Sequence, residues 1–257
     1  MELPGKRKIQ YEKSPLVEVI CQLRFPTILA IGGRDPVDFQ ELVRGDLPRY
    51  AQQTEKRDGQ SVKTHSFLSA GGEYKLSLTS TFIALSTRGY TNWKNFAGYL
   101  DEPLSHFISV YRPAYFERIG LRYINGISRE KLDLEDARWS ELVAPQYLGV
   151  LALGDTDEKQ VSKASADTEM KLRDGCSLRI HAGPGLLKRS VSGPDGVREV
   201  RENTPRFIFD QDIYASGNIP LQSAAEVLET LHDHADRIFE GAITDKLHDA
   251  MEPVYIN

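Results

Sequence analysis

Residues 15–25 read Pro-Leu-Val-Glu-Val-Ile-Cys-Gln-Leu-Arg-Phe, so Val17, Val19, Cys21, Leu23 and Phe25 fall on one face of a strand at a period of two. Glu18, Ile20, Gln22 and Arg24 occupy the other face, which must be either wet or lined for a purpose. Residues 115–127 repeat the pattern, with Ile119, Leu121 and Tyr123 opposite Arg118, Gly120 and Arg122. Two strands of this kind demand an apolar layer on one side of a sheet and leave polar groups on the other.

The rest of the chain is read around them. Period-two runs at 61–70, 74–80 and 81–87, the first two joined by Gly71-Gly72, predict a meander. After a turn at Gly32-Gly33, Asp35-Pro36 forms an N-cap and N1 pair that opens a helix through Phe39, Leu42 and Val43. Thr91 caps a second helix, in which Trp93, Phe96, Leu100, Leu104, Phe107 and Tyr111 keep helical spacing straight through Pro103, so one kinked helix is expected. Short helices are expected at 137–143 and 146–151. Three more strands are expected at 159–172, 176–187 and 207–215, with a turn at Ser192-Gly193-Pro194-Asp195-Gly196 inside a long charged excursion. From Ser223 an apolar stripe of Ala224, Val227, Leu228, Leu231, Ala235, Ile238, Ala242 and Ile243 predicts a closing helix of more than about 25 residues.

Hairpin connections between mixed strands and helices predict an α+β fold: a mostly antiparallel sheet in two loosely similar halves with long amphipathic helices packed on it. The halves are 1–127 and 159–257, joined by a helical connector at 128–158. One continuous domain is equally compatible.

Composition excludes several classes. With 257 residues, 40% of them hydrophobic and 27% charged, the chain is neither a disordered nor a disulfide scaffold sequence. Its 32 Lys and Arg against 37 Asp and Glu give a net charge of −5, which argues against a surface that is one nucleic-acid footprint. That charge is concentrated at the C-terminus. From 221 to 257 two basic residues face eight acidic ones, a net of −6, so the remainder carries +1. The N-terminal Pro4-Gly5-Lys6-Arg7-Lys8 is followed by no apolar signal core, and the longest apolar runs, such as 150–153, fall far below the ~20 residues that span a bilayer. Cys21 and Cys176 form no CxxC and are expected as reduced, buried thiols. A cytoplasmic protein with no membrane contact is expected.

No Walker loop, dinucleotide-binding glycine motif, nucleophile elbow or HExxH occurs, and no cofactor is expected. Gly183-Pro184-Gly185 reads as a bend in a strand. Arg118 and Arg122 share a strand face with Gly120 between them, leaving a shallow spot, and Glu18 and Arg24 on the first strand could join them. The guanidinium fork suits carboxylate or phosphate, so this face is a candidate anion platform; ion pairing within the sheet is the competing reading. Asp210 and Asp212 also share a face, with Tyr214 beside them, and could serve as acid and base or hold a hard cation. Arg179 and His181 on the preceding strand offer a salt-bridge ladder instead. In His232-Asp233-His234 the two imidazoles diverge on a helix, which argues against a single-face metal site. No histidine lies beside either cysteine in sequence. The basic residues of the excursion, Lys188, Arg189, Arg198, Arg201 and Arg206, outnumber its acidic ones by two, a weak patch.

Two strings, Pro15-Leu-Val-Glu-Val19 leading to Leu23-Arg-Phe25 and Arg118-Ile-Gly-Leu-Arg-Tyr-Ile-Asn125, together resemble signatures of a sporadically distributed family of bacterial proteins of about this length with no established activity. The Asp210-Gln211-Asp212 strand and the C-terminal helix with Phe239 and Ile243-Thr244 are similar to that family's second half. The resemblance implies that these polar strand positions matter to the shared fold or function, and it implies no reaction.

The leading expectation is therefore a non-enzymatic binding module using Glu18, Arg24, Arg118, Arg122, Asp210 and Asp212 for a small anionic ligand or a protein partner. An enzyme using Asp210, Asp212, Arg122 and His181 on an anionic substrate is the second expectation. A nucleic-acid-binding protein is the third.

Overall fold

A computed structural model describes residues 8–57, 60–193, 196–201 and 204–256. The first half runs β1 (Lys8–Tyr11), β2 (Leu16–Arg24), α1 (Leu29–Gly33), α2 (Val37–Val43), β3 (Arg49–Arg57), β4 (Gln60–Leu68), β5 (Tyr74–Leu78), β6 (Phe82–Thr87), α3 (Trp93–Tyr111) and β7 (Phe116–Ile127). A connector with α4 (Trp139–Leu142) and several 3-10 turns leads to β8 (Ala166–Lys171), β9 (Ser177–Gly185), β10 (Lys188–Gly193), β11 (Gly196–Arg201) and β12 (Arg206–Ile219). The chain closes with α5 (Ala224–Glu240), α6 (Asp245–Ala250) and β13 (Pro253–Ile256). The fold is α+β.

Nine strands form one sheet in the order β3-β4-β5-β6-β2-β7-β12-β9-β8, every neighbouring pair antiparallel. The two sequence halves meet at the β7–β12 ladder near its middle, so the sheet continues across the connector. β1 pairs with β13, and β10 with β11, as separate ribbons.

The alternation read in β2 and β7 becomes the two sides of this sheet. On one side Val19, Cys21, Leu23, Ile119, Leu121, Phe207, Phe209 and Ile213 are fully or almost fully buried. α3 and α5 lie on that side. Phe107 of α3 packs on Phe25 with ring centroids 4.7 Å apart, and Tyr99 stacks on Tyr74 at 3.9 Å. α5 sets Leu231 and Ala235 against β7 and β12, and Gln211 Nε2 donates to the Ala235 carbonyl at 3.2 Å, so even the polar residue of this face is tied to the helix. Trp93 of α3 stacks on His232 of α5 at 4.6 Å and closes the seam between the two helices. The connector covers the same side through Trp139 on Phe207 and Tyr147 on Phe209. Each large side chain buried here contributes ~1.5–3 kcal/mol.

Several elements differ from the sequence expectation. Val17 leaves the dry row because the β2–β7 register shifts between Leu16 and Glu18, turning its side chain toward the opposite face, where it lies beside the Gly126 backbone. The expected Gly32-Gly33 turn is instead the end of α1. Pro36, not Asp35, occupies the cap of α2, and Asn92, not Thr91, caps α3 through its side chain at 2.9 Å from the Asn95 amide. α3 does pass through Pro103 as one helix. The closing helix is shorter than expected. α5 stops at Glu240, Ile243 forms a bridge with Val143, and Thr244 caps α6. The expected strand at 159–172 contributes only Ala166–Lys171, and the charged excursion is the β10–β11 ribbon, whose predicted turn includes Pro194 and Asp195, outside the described residues. β1, β3 and β13, whose described side chains are exposed or only partly buried, are not among the expected strands. Among the described residues no helix is long and apolar enough to cross a membrane.

Candidate functional site: the open face of the sheet

The side of the sheet away from α3 and α5 carries the even-numbered residues of β7 and β12. The four candidates on these strands do share that face, and they are paired. Arg118 Nη2 donates to both carboxylate oxygens of Asp212 at 2.8 Å. Arg122 donates through Nε and Nη2 to Asp210 at 2.7 and 2.5 Å. The pairs run diagonally, since Asp212 is directly opposite Arg122 and Asp210 opposite Ile124. The hydrogen bond that Arg122 donates to Asp210 holds its guanidinium above its ordinary pKa.

The ladder continues outward. Arg179 donates to Glu169 at 2.9 Å, which holds that carboxyl below its usual range, and His181 meets Asp167 at 2.7 Å. Arg118 also lies 4.2 Å above the Tyr214 ring. The shallow spot expected at Gly120 is filled by this arrangement. A Cβ there would sit 2.2 Å from Arg118 Nη1, so glycine leaves room for the arginine's own head and not for a ligand.

Glu18 and Arg24 of β2 share this face, Arg24 opposite Arg118 and Glu18 opposite Ile124, and the Glu18 charge acts on Arg122, but neither pairs with the aspartates. Arg24 donates to its neighbour Gln22 at 3.0 Å, and Glu18 lies 3.7 Å from Arg88 in the wall of a groove. That groove, of about 1310 Å³, occupies the open face where the β2 bulge turns Val17 outward. Lys13, Arg49, Lys75, Arg88, Lys131 and Arg206 line it together with Glu18, Glu55 and Glu73. Six cationic side chains against three glutamates leave three positive charges on a chain of net charge −5.

Their local settings differ. Lys13 bridges Glu252 at 3.0 Å and Asp133 at 3.6 Å, and the Glu252 contact raises its pKa. Arg206, nearly buried, reaches the Gly126 carbonyl at 3.4 Å. Arg49, Lys75 and Lys131 are exposed and form no ion pair among the described residues. The described lining includes no aromatic side chain. Sequence reasoning missed this groove because its residues come from seven strands, the loops beside them and a connector turn, with no shared period. Arg206, counted there only as part of a weak patch, is the described member of the charged excursion in this lining; the side chains of Lys188, Arg189, Arg198 and Arg201 lie outside the described residues.

The remaining candidates lie outside the lining of the groove. His232 is buried, with Nδ1 2.9 Å from the Tyr123 hydroxyl, and burial drives the Tyr123 pKa well up. Cys21 and Cys176 are free and buried, and burial pushes their thiols to about 12 and about 11. His234 diverges from His232, as its helical spacing requires, and meets Asp174 at 2.5 Å. No family model matches the chain, and no curated protein is significantly similar to it.

Proposed function

We propose that the protein is a non-enzymatic binding module whose open-face groove takes an acidic segment of a partner protein. The exposed Arg49, Lys75 and Lys131 in a concave groove, on a chain of opposite net charge, are the observation that carries this reading. The groove runs from Arg49 on β3 to Gly126 on β7, five strand spacings, up to ~24 Å measured along the sheet. No single phosphate or carboxylate spans that distance, whereas an extended chain carrying several carboxylates does.

The three glutamates favour an acidic polypeptide, whose flexible side chains can swing their carboxylates away from them, over a nucleic-acid backbone, whose phosphates sit at fixed intervals along the chain. The lack of aromatic lining removes the stacking that single-stranded nucleic acid relies on. Catalysis by Asp210 and Asp212 is disfavoured because arginines occupy both carboxylates.

Fluorescence anisotropy with a labelled oligoglutamate and a labelled single-stranded oligonucleotide tests the reading. The peptide is expected to bind at low salt, more tightly than the oligonucleotide, and to weaken as added salt shortens the screening length from ~30 Å at 0.01 M to ~8 Å at 0.15 M. Tighter binding of the oligonucleotide, or no peptide binding at low salt, would overturn it.

A further inference from the structure

Where β8 turns into β9, the chain makes a tight bend at Asp174-Gly175-Cys176. Gly175 sits at φ +88°, its amide donates to the Leu172 carbonyl at 3.0 Å, and the Leu172 amide donates to the Cys176 carbonyl at 2.7 Å. A side chain at that φ would be strained, so the glycine fixes Asp174 and Cys176 on the same bend. α5 brings His234 to this bend from sixty positions beyond Asp174. A carboxylate oxygen of Asp174, Sγ of Cys176 and a ring nitrogen of His234 then lie within 4.8 Å of one another.

We propose that Asp174, Cys176 and His234 form a site for a divalent zinc-class cation. A four-coordinate zinc with Zn–S of ~2.3 Å and Zn–N and Zn–O of ~2.0–2.2 Å separates its donors by ~3.3–3.8 Å, so only small side-chain movements are needed. The His234–Asp174 hydrogen bond, at 2.5 Å, opens by about 1 Å as the metal takes the place of the shared hydrogen. Asp174 is already oriented for this. Its Oδ1 accepts from the Cys176 amide at 3.0 Å while Oδ2 faces His234, leaving one oxygen for the outer hydrogen bond and one for the ion. Thiolate and imidazole select a borderline or soft ion over magnesium or calcium. Three protein donors leave the fourth position to water or to a group from outside. The two anionic donors and one neutral imidazole balance a divalent charge. The cysteine lacked a histidine partner in the sequence because that partner arrives from the other end of the half.

Cobalt(II) titration of the full chain tests this directly, since cobalt replaces zinc and reports its ligands. The expected result is one equivalent bound, with a thiolate-to-cobalt charge-transfer band and the visible bands of tetrahedral coordination, all displaced by zinc. Cys176→Ser should abolish the charge-transfer band, and His234→Gln should weaken zinc by more than the ~10–100-fold that loss of an outer partner costs. A wild-type cobalt spectrum without thiolate charge transfer, or unchanged zinc affinity in a folded Cys176→Ser protein, would overturn the proposal.

Discussion

Gly120 shows how a single missing side chain organises the open face. It clears the space that Arg118 crosses to reach Asp212, and the obstacle an alanine would meet is the mobile end of that arginine. Gly120→Ala should therefore push the guanidinium off Asp212, at a cost of ~1 kcal/mol set against the ~0.5–1 kcal/mol gained from a stiffer strand. In an Arg118→Ala background the cost disappears and the gain remains. A double-mutant cycle by urea denaturation should return a coupling of ~1 kcal/mol, and a coupling of zero would show that Arg118 makes no use of that space. His65 provides a second residue-scale test. It is fully buried with the Tyr50 hydroxyl 2.7 Å from Nδ1, and burial lowers its pKa below 6.5. The unfolded chain then binds the proton more readily than the folded one, so stability is retained above pH 6.5 and is lost as pH falls below it. His65→Gln should lose less stability than the wild type between about pH 7.5 and about pH 5.5; equal losses would contradict the assignment.

At the scale of elements, legibility followed burial on one face. β2, β7 and β12 were readable because one side of each is dry, and alternation survives in the sequence. β3 is exposed along its whole described length and β8 along most of its own, as the two edge strands, so neither shows a hydrophobic period. The break between α5 and α6 was hidden for a different reason. Ala242 and Ile243 continue the apolar stripe, but they bury themselves against the connector through the Val143 bridge and the Ala144-to-Ala242 hydrogen bond. Thr244 marks the new start, accepting from the Leu247 amide at 3.3 Å and donating to the Glu141 carbonyl at 2.7 Å. Thr244→Ala should cost ~1–2 kcal/mol in a chemical melt, while a change within a few tenths would mean that α6 is held by Leu247 and Met251 alone. For the site, alternation placed Arg118 with Arg122, and Asp210 with Asp212, on one face of their respective strands, and the ladder brings the two pairs to the same side. The sequence could not show that they pair diagonally, because register between strands some ninety residues apart leaves no mark in composition.

Across the whole molecule, charge is divided between the two sides of the sheet. The helical side carries α5 and its acidic residues, while the open side carries a groove with three excess positive charges. A net charge of −5 therefore conceals a groove whose lining holds more cationic than acidic side chains. The order of the nine strands, which assembles that groove from both sequence halves, was not readable from local patterns. Two arginine clusters on the open face now make distinct claims: the Arg118 and Arg122 ladder is neutralised by its aspartates, and the groove is not neutralised by its glutamates. Isothermal titration of an oligoglutamate into three proteins separates them most directly. The wild type and an Arg118→Ala/Arg122→Ala variant should bind with affinities within about twofold of each other, and an Arg49→Glu/Lys75→Glu variant should bind at least about tenfold more weakly, a loss of ~1.4 kcal/mol or more. Binding that survives in the groove variant and disappears in the folded ladder variant would contradict the account.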